Sequence, residues 1–208
     1  MVFFTADLHF GSVEIAEKRN AVFSSVEDMD AQLVHNWNRC VSPEDTVYLV
    51  GDICCHDAPF PDRYLSLLNG HKHLIRGNHD TGMEQQERLF DYFESVSDFL
   101  EIDENGIHIV LCHYPIVYVQ RGYMIHGHIH EPKGAVFEIL KQMERVLNAC
   151  VDRNQFRPIC LEELIQNNEN FYGIRKSDYL NDSKMHDHSH KWKADFKPLP
   201  IKPEHKGT

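Results

Sequence analysis

Three histidines alternate along the stretch IHGHIHEP, which covers residues 125–132 of the 208-residue chain. Side chains at alternate positions of an extended segment point to the same side. His126, His128 and His130 could therefore bind one metal ion, contact two ions or form a solvated patch. The alternation does not distinguish these three interpretations.

Other potential metal ligands follow apolar segments elsewhere in the chain. The motifs are Asp7-Leu8-His9, Gly51-Asp52, Gly77-Asn78-His79-Asp80, His113 and Gly127-His128-Ile129-His130. Carboxylate, imidazole and amide oxygen are the usual ligands of hard to borderline divalent metals. Thiolates are missing from these strand-end positions, which argues against a cysteine-rich structural zinc site. The motifs therefore predict a metal site made of oxygen and nitrogen ligands.

Hydrophobic patterning places the motifs at the ends of predicted strands. The segments VFFTADLH, TVYLVGD and HLIRGNHD each begin as an apolar run and end in polar residues. A helix is predicted over residues 25–39, and DFLEI and IHIVLCHYP form a predicted hairpin that turns at Asn105-Gly106. A strand at GYMIHGHIH, a helix at AVFEILKQMERV, a strand at LNACV and a helix at CLEELIQ complete the pattern. Because ligands bind α/β sheets outside the carboxyl ends of strands, the motifs lie where chemistry is expected.

Length and composition predict one folded domain with a tail. The chain is 42% apolar and 11% aromatic, which is enough to bury a core, and its net charge is −11. This charge argues against a broad cationic surface for nucleic acid. Apolar residues become rare from about residue 166, so we predict a domain over 1–170 and a polar extension over 171–208. The histidine cluster MHDHSHKWK in this extension is interpreted as part of a solvated tail.

The six cysteines form no C-x-x-C pair, and we interpret them as reduced thiols. No signal-peptide pattern precedes the first predicted strand, and no apolar run approaches the roughly 20 residues that span a bilayer. We therefore expect a soluble, cytoplasmic protein with no membrane partner.

The order D-x-H, G-D, G-N-H-D, H and G-H-x-H resembles the calcineurin-like metallophosphoesterase superfamily. The likeness covers residues 7–130, and the flanking strands extend it to about residue 165. The segments LNGHKHLIRGNHD, VLCHYP and NACVDRNQFRPICLEEL resemble its small, single-domain bacterial and phage branch. The resemblance implies an α/β fold, a four-layer αββα sandwich with two mixed β-sheets.

The resemblance also implies a dinuclear metal centre. Position by position, the first metal would be held by Asp7, His9, Asp52 and His130. The second metal would be held by Asp52, Asn78, His113 and His128. Asp52 would bridge the two ions because a carboxylate has two oxygens. Manganese is the expected metal, with iron, zinc or nickel as alternatives.

The reaction implied by the resemblance is hydrolysis of a phosphoric ester. A hydroxide that bridges the two metals would attack phosphorus, and the metals would stabilise the charge on the other phosphate oxygens. His79 is not a ligand in the family pattern, and we predict that it is the general acid for the leaving oxygen or a cationic stabiliser of the transition state. Some dimetal phosphatases pair this histidine with an aspartate, but Cys55 occupies that position here.

Four residues beside the motifs could contact substrate or support a ligand. Arg76 is a candidate phosphate contact, with a surface or ion-pair residue as the alternative, and Arg121 is a candidate substrate clamp. Asp80 adjoins His79, but its direction is not predicted. His126 falls outside the G-H-x-H register, so we expect it to support the fold or a ligand rather than bind metal.

We predict a metal-dependent phosphoesterase that prefers phosphodiesters to monoesters, because a small chain without a cap suggests an open site. The alternatives are a nuclease, a phosphomonoesterase or nucleotide pyrophosphatase of the same fold, and a non-catalytic scaffold. A scaffold would be expected to lose ligands, whereas this chain keeps the seven ligand positions and His79. The expected partner is a small phosphoester, with nucleotides among the candidates, and the oligomeric state is not predicted.

Overall fold

The structure is a computed structural model that describes residues 1–54, 62–80, 89–178 and 180. Its first sheet contains β1 (Val2–Thr5), β2 (Thr46–Leu49), β3 (His71–Ile75) and β4 (Ser95–Ser97), which are parallel and lie in that order. The helices α1 (Val13–Lys18) and α2 (Val26–Cys40) connect β1 to β2, and α3 (Asp62–Leu65) precedes β3. Such helical crossovers are what parallel neighbours require.

The second sheet contains β5 (Leu100–Glu104), β6 (Ile107–Leu111), β7 (Tyr123–His126) and β8 (Val146–Asn148). The strands β5 and β6 form the predicted antiparallel hairpin, and β6, β7 and β8 are parallel, so this sheet is mixed. The hairpin turns at Asn105 and Gly106, with φ of 51° and 80°. Positive φ at both positions is the requirement of the two-residue turn that suits twisted strands.

Buried side chains divide into layers that confirm the predicted αββα sandwich. Phe4, Val50 and Ile75 of the first sheet pack against Ile109 and Ile125 of the second sheet. On the outer face of the first sheet, neighbouring strand residues pack with α1, α2 and α3. On the outer face of the second sheet, packing involves α4 (Gly134–Gln142) and the end of α5 (Leu161–Tyr172). Because side chains alternate along each strand, each sheet packs one face against the other sheet and its opposite face against helices.

Several element predictions need correction. The sequence pattern did not predict α1 or β4, and the last helix extends to Tyr172 rather than ending after CLEELIQ. The predicted helix at AVFEILKQMERV ends at Gln142 as α4, and it is only partly buried, because Val136 and Ile139 are 43% and 55% exposed while Leu140 is buried. The first sheet is parallel throughout its described strands, and the mixed character belongs to the second sheet.

Residues beyond the predicted domain boundary continue to pack against the described fold. Lys176 is fully buried, and its Nζ donates to the carbonyls of Met143 and Val146 at 2.6 Å and 3.0 Å. The boundary at residue 170 stays a prediction, and the cluster MHDHSHKWK lies outside the described residues. Within the described part of the chain, no helix is long and apolar enough to cross a bilayer.

Candidate metal centre

The loops that follow β1, β2, β3, β6 and β7 meet at one edge of the two sheets. Hydrogen bonds join neighbouring loops there, from the backbone N–H of Asp7 to the Gly51 carbonyl at 2.9 Å and from that of His9 to the Asp52 carbonyl at 3.0 Å. The seven predicted metal ligands lie on these loops: Asp7, His9, Asp52, Asn78, His113, His128 and His130. Ring and carboxylate contacts bring all seven into one cluster.

The backbone at the cluster is strained. Asp7, His9, Asp52 and His128 have φ of 59°, 52°, 58° and 65°, in the left-handed region that side-chain-bearing residues seldom adopt. Each such residue costs on the order of 1–3 kcal/mol and persists only where its surroundings enforce it. Backbone strain of this kind clusters at functional sites, so its presence at four predicted ligands supports the prediction of a metal site.

Two motif glycines let the ligands approach the backbone. A Cβ at Gly77 would lie 2.2 Å from Asp52 Oδ1, and a Cβ at Gly127 would lie 2.6 Å from Asp7 Oδ2. Contacts this short do not occur in folded proteins, so any side chain at either position would displace a predicted ligand. The glycines of G-N-H-D and G-H-x-H are therefore steric requirements of the cluster.

The first group of ligands contains Asp7, His9 and His130, whose ligand atoms lie within 4.8 Å of one another. The Nε2 atoms of His9 and His130 face each other at 3.1 Å, and His130 Nε2 lies 3.5 Å from Asp7 Oδ1. His130 Nδ1 donates to Asp152 Oδ2 at 3.0 Å, which leaves the lone pair of Nε2 directed at this group. The two ring nitrogens are therefore close enough to share a proton or to bind one cation.

The second group contains Asn78, His113 and His128. Asn78 Oδ1 lies 3.1 Å from His113 Nε2 and 2.9 Å from His128 Nδ1. His113 Nδ1 donates to the Val50 carbonyl at 2.8 Å, so the lone pair of its Nε2 also faces the group. This donor set, rich in oxygen and imidazole nitrogen, fits a divalent cation.

Asp52 lies between the two groups. Its Oδ2 is 3.7 Å from His9 Nε2 and 3.3 Å from His113 Nε2. Its Oδ1 accepts a hydrogen bond from the backbone N–H of His79 at 2.9 Å. Oδ2 is therefore the oxygen that faces both groups.

The environment shifts the pKa of several cluster residues. Burial raises the pKa of Asp7 to about 6 and lowers the pKa of His9 to about 3. Burial would also raise the pKa of Asp52, but the hydrogen bond and charge of His113 outweigh it and hold the pKa below its usual value. His9 is consequently neutral at physiological pH, which is the form that binds metal.

Metal affinity is expected to fall by about tenfold per pH unit below about pH 6. Below its raised pKa, Asp7 carries a proton in the metal-free protein, and a cation must displace that proton to bind. The affinity should therefore rise with pH through about 6. It should continue to rise until His113 has also lost its proton, because the hydrogen bond with Asp52 outweighs burial and raises the pKa of His113 above its usual value. Calorimetric titration of the metal-free protein with Mn²⁺ at several pH values measures this. An affinity that does not change across this interval would contradict the raised pKa of Asp7.

The remaining predicted site residues have different surroundings. Arg76 forms a two-pronged ion pair with Asp98, with both N–O distances 2.8 Å, which is the alternative reading given for it above. Arg121 is exposed and lines a separate depression with Glu101 and His108.

His126 is 1% exposed, and its Nδ1 donates to the Gly127 carbonyl at 2.6 Å. Burial lowers the pKa of His126 to about 4, so it is a neutral core residue.

Asp80 and His79 point in different directions. The fully buried Asp80 accepts from the backbone N–H groups of Asp52, Ile53 and Gly77, at 2.8, 3.0 and 2.7 Å. Asp80 therefore links the G-D loop to the G-N-H-D loop by hydrogen bonds.

The His79 ring is half-buried and lies 5.1 Å from the His9 ring, edge to face, beside a cavity of about 580 Å³. Cys55, which replaces the expected partner of His79, lies outside the described residues.

Sequence reasoning did not single out Arg19, Cys150 or Asp152, which contact the back of the first group. Asp152 contacts His130, and Arg19 contacts Asp152 at 2.6 Å. The segment NACVDRN contributed to the family resemblance, but no residue type or spacing within it indicates that its aspartate reaches a histidine 22 positions away. Only the packing of α1 against the loop after β8 brings these residues together.

Comparison with known proteins gives matches over most of the chain. A model of the family described as calcineurin-like phosphoesterase matches residues 1–205. An uncharacterized protein of Methanocaldococcus jannaschii is 30% identical over 170 residues, covering 79% of this chain and 89% of that protein. The gene 66 protein of Mycobacterium phage L5 is 31% identical over 161 residues, covering 62% of this chain and 77% of that protein. A solved structure of a protein of unknown function from Aquifex aeolicus has a TM-score of 0.64 and 26% identity, covering 80% of this chain and 98% of that chain.

The family match, the two-sheet fold and the cluster of potential metal ligands define a metal-dependent phosphoesterase, a hydrolase of phosphoric esters. The chain belongs to the calcineurin-like phosphoesterase family. The predicted family, fold class and enzyme class are thereby confirmed. The roles of individual residues stay predictions.

Proposed function

We propose that the chain is a phosphodiesterase whose seven predicted ligands hold two divalent cations in the groups implied by the resemblance. The observation that carries this proposal is the position of Asp52 Oδ2, which lies 3.7 Å from His9 Nε2 in one group and 3.3 Å from His113 Nε2 in the other. A single carboxylate oxygen shared by two imidazole groups is the arrangement expected of a bridging ligand. Manganese is the proposed metal.

The bound cations would supply positive charge at the phosphate oxygens and make water a stronger nucleophile. The protein's own contribution is to orient the ligands and to supply a proton. His113 and His130 each donate through Nδ1 to a fixed acceptor, so each keeps Nε2 directed at the cluster. His79 lies at the edge of the cluster beside the cavity, from which it can donate a proton to the leaving oxygen or stabilise negative charge there.

The charges around the cavity favour a diester over a monoester. Three cationic residues line it, and each is paired with a carboxylate: Lys18 with Glu14 at 2.6 Å, Arg19 with Asp152 at 2.6 Å, and Lys133 with Glu131 at 2.9 Å. Each described lysine and arginine of the lining thus already has a carboxylate partner, so none of them is dedicated to the second negative charge of a phosphomonoester. A diester carries a single negative charge, which the proposed metal centre can neutralise.

The charges around the cavity also argue against a long nucleic acid as substrate. A polyanion needs cationic residues that track its backbone, but the described cavity lysines are paired and the net charge of the chain is −11. A small phosphodiester, with nucleotide derivatives among the candidates, fits this charge distribution better.

The test compares bis-p-nitrophenyl phosphate with p-nitrophenyl phosphate after removal of metal by chelation. Turnover is expected only after a divalent metal is restored, with Mn²⁺ most effective and the diester favoured by about tenfold or more in kcat/KM, equivalent to about 1.4 kcal/mol. Metal analysis should find about two ions per chain. A higher kcat/KM for the monoester would reverse the substrate preference. One tightly bound ion per active chain would contradict the dinuclear centre.

A further inference from the structure

Behind the first ligand group lies an ion pair between Arg19 and Asp152. Arg19 Nε donates to Asp152 Oδ1 at 2.8 Å, and an Nη atom donates to Oδ2 at 2.6 Å. Arg19 is 5% exposed and the Asp152 side chain is 16% exposed, so the pair is largely shielded from water. Two parallel hydrogen bonds fix the plane of the carboxylate, as a lysine could not.

Each partner of the pair also contacts a different ligand loop. Asp152 Oδ2 accepts from His130 Nδ1 at 3.0 Å. The Nη atoms of Arg19 donate to the carbonyls of Asp7 and Leu8, at 2.9 Å and 3.1 Å. The ion pair therefore links the loop after β1 to the loop after β7, although Arg19 and Asp152 are 133 positions apart.

The guanidinium of Arg19 has a defined partner on every side. Besides Asp152 and the two carbonyls, it lies 3.5 Å from Met29 Sδ, and its central carbon lies 5.6 Å from the centre of the Phe156 ring. A buried arginine with all its donors engaged has one conformation and transmits that geometry to its partners. The turn that it holds contains Asp7 and His9, both with positive φ, which is the kind of backbone that surrounding contacts must enforce.

The second ligand group has no comparable ion pair among the described residues. His113 is oriented by the Val50 backbone carbonyl, and Asn78 and His128 contact each other at 2.9 Å. The Val50 carbonyl follows β2 and is part of the sheet framework. The backbone N–H of His128 donates to the Asp7 carboxylate at 3.0 Å, which couples the second group to the first. The two groups are thus supported in different ways.

We propose that Arg19 and Asp152 are positioning residues that act together to preorganise Asp7, His9 and His130 for the first metal. This inference rests on the proposed dinuclear centre. Asp152 fixes the tautomer and the orientation of His130. Arg19 holds both Asp152 and the Asp7–Leu8 turn, and because the pair is neutral overall it adds no net charge beside the cation. Loss of either member weakens the first metal more than the second.

The experiment measures metal binding by the full chain after chelation, using calorimetric titration with Mn²⁺. Asp152→Asn and Arg19→Lys are each expected to weaken one of the two binding events by about 10–100-fold, the usual effect of removing a group that orients a metal ligand. The double variant should lose little more than either single variant, because the two residues act as one unit. Glu163→Gln is the matched control. Glu163 lies on α5, away from the cluster, and forms an ion pair with Arg157, so this substitution should leave both binding events unchanged.

Three results would overturn the inference. They are equal weakening of both binding events, unchanged affinity in Asp152→Asn and Arg19→Lys, and fully additive losses in the double variant. Thermal unfolding of each metal-free variant identifies a general loss of folding, and Arg19→Lys provides the milder change if Asp152→Asn does not fold. If the unsubstituted protein binds only one metal ion, the dinuclear proposal fails first, so that failure is distinguishable from failure of the positioning role.

Discussion

Replacing Asp52 with asparagine is expected to lower kcat/KM by about a thousandfold or more, equivalent to about 4 kcal/mol. Asparagine has one acceptor oxygen, and the backbone N–H of His79 requires it at the position of Oδ1. The amide nitrogen would then face His9 Nε2 and His113 Nε2 in place of Oδ2. A donor at that position cannot bind a cation, so both metal sites should weaken together.

Steady-state kinetics and metal analysis on the same preparation measure this effect. Asp45→Asn is the matched control, because Asp45 is also a buried aspartate that accepts a backbone hydrogen bond, from Ser42 at 2.8 Å, but it lies outside the cluster. Asp45→Asn is expected to alter stability and to leave the metal content unchanged. If Asp52→Asn keeps two ions per chain and normal turnover, Asp52 is not a bridge.

Replacing His79 with asparagine is expected to lower kcat by about 10²–10⁴-fold and to leave the metal content intact. The ring lies at the cluster edge, 5.1 Å from the His9 ring, and its nitrogen is also close enough to His9 and Asp52 to join a metal group. Retained metal would therefore separate a proton-donating role from a ligand role. His73→Asn is the matched control, since His73 is a half-buried histidine on β3 that contacts Ser95.

The leaving group distinguishes the two roles proposed for His79. A general acid matters more for an alkoxide, which is a poor leaving group, than for p-nitrophenolate, which leaves without a proton. A larger loss with an alkyl ester therefore indicates general acid catalysis. Equal losses with both esters indicate electrostatic stabilisation of the transition state. Unchanged kcat with both esters would contradict a catalytic role, and loss of metal would make His79 a ligand.

The seven predicted ligands could be found from sequence because their signal is local. Each follows an apolar strand, and polar residues after a buried strand must lie at the edge of the sheet. The order of the five motifs then selected the family, which the family match over residues 1–205 confirmed. The hairpin at Asn105-Gly106 was predictable for a similar reason, since two consecutive residues impose its turn.

Directions of side chains were less predictable because they depend on backbone conformation. The period of two placed His126, His128 and His130 on one side of a strand, but β7 ends at His126 and His128 has φ of 65°, which breaks the alternation. His126 consequently points into the core, whereas His128 is exposed at the cluster. Asp80 follows His79 directly, but the turn aims its carboxylate at three backbone N–H groups instead of at the histidine.

Residue types and their order along the chain were sufficient to predict the family, the two-sheet fold and the residues that could bind metal. Tertiary structure alone decided that Asp52 faces both groups through Oδ2, and that the ion pair of Arg19 with Asp152 lies against His130. The physical reason is the range of the interactions. A strand-end motif is specified by its neighbours in sequence, whereas an ion pair between residues 133 positions apart exists only after separate elements have packed together.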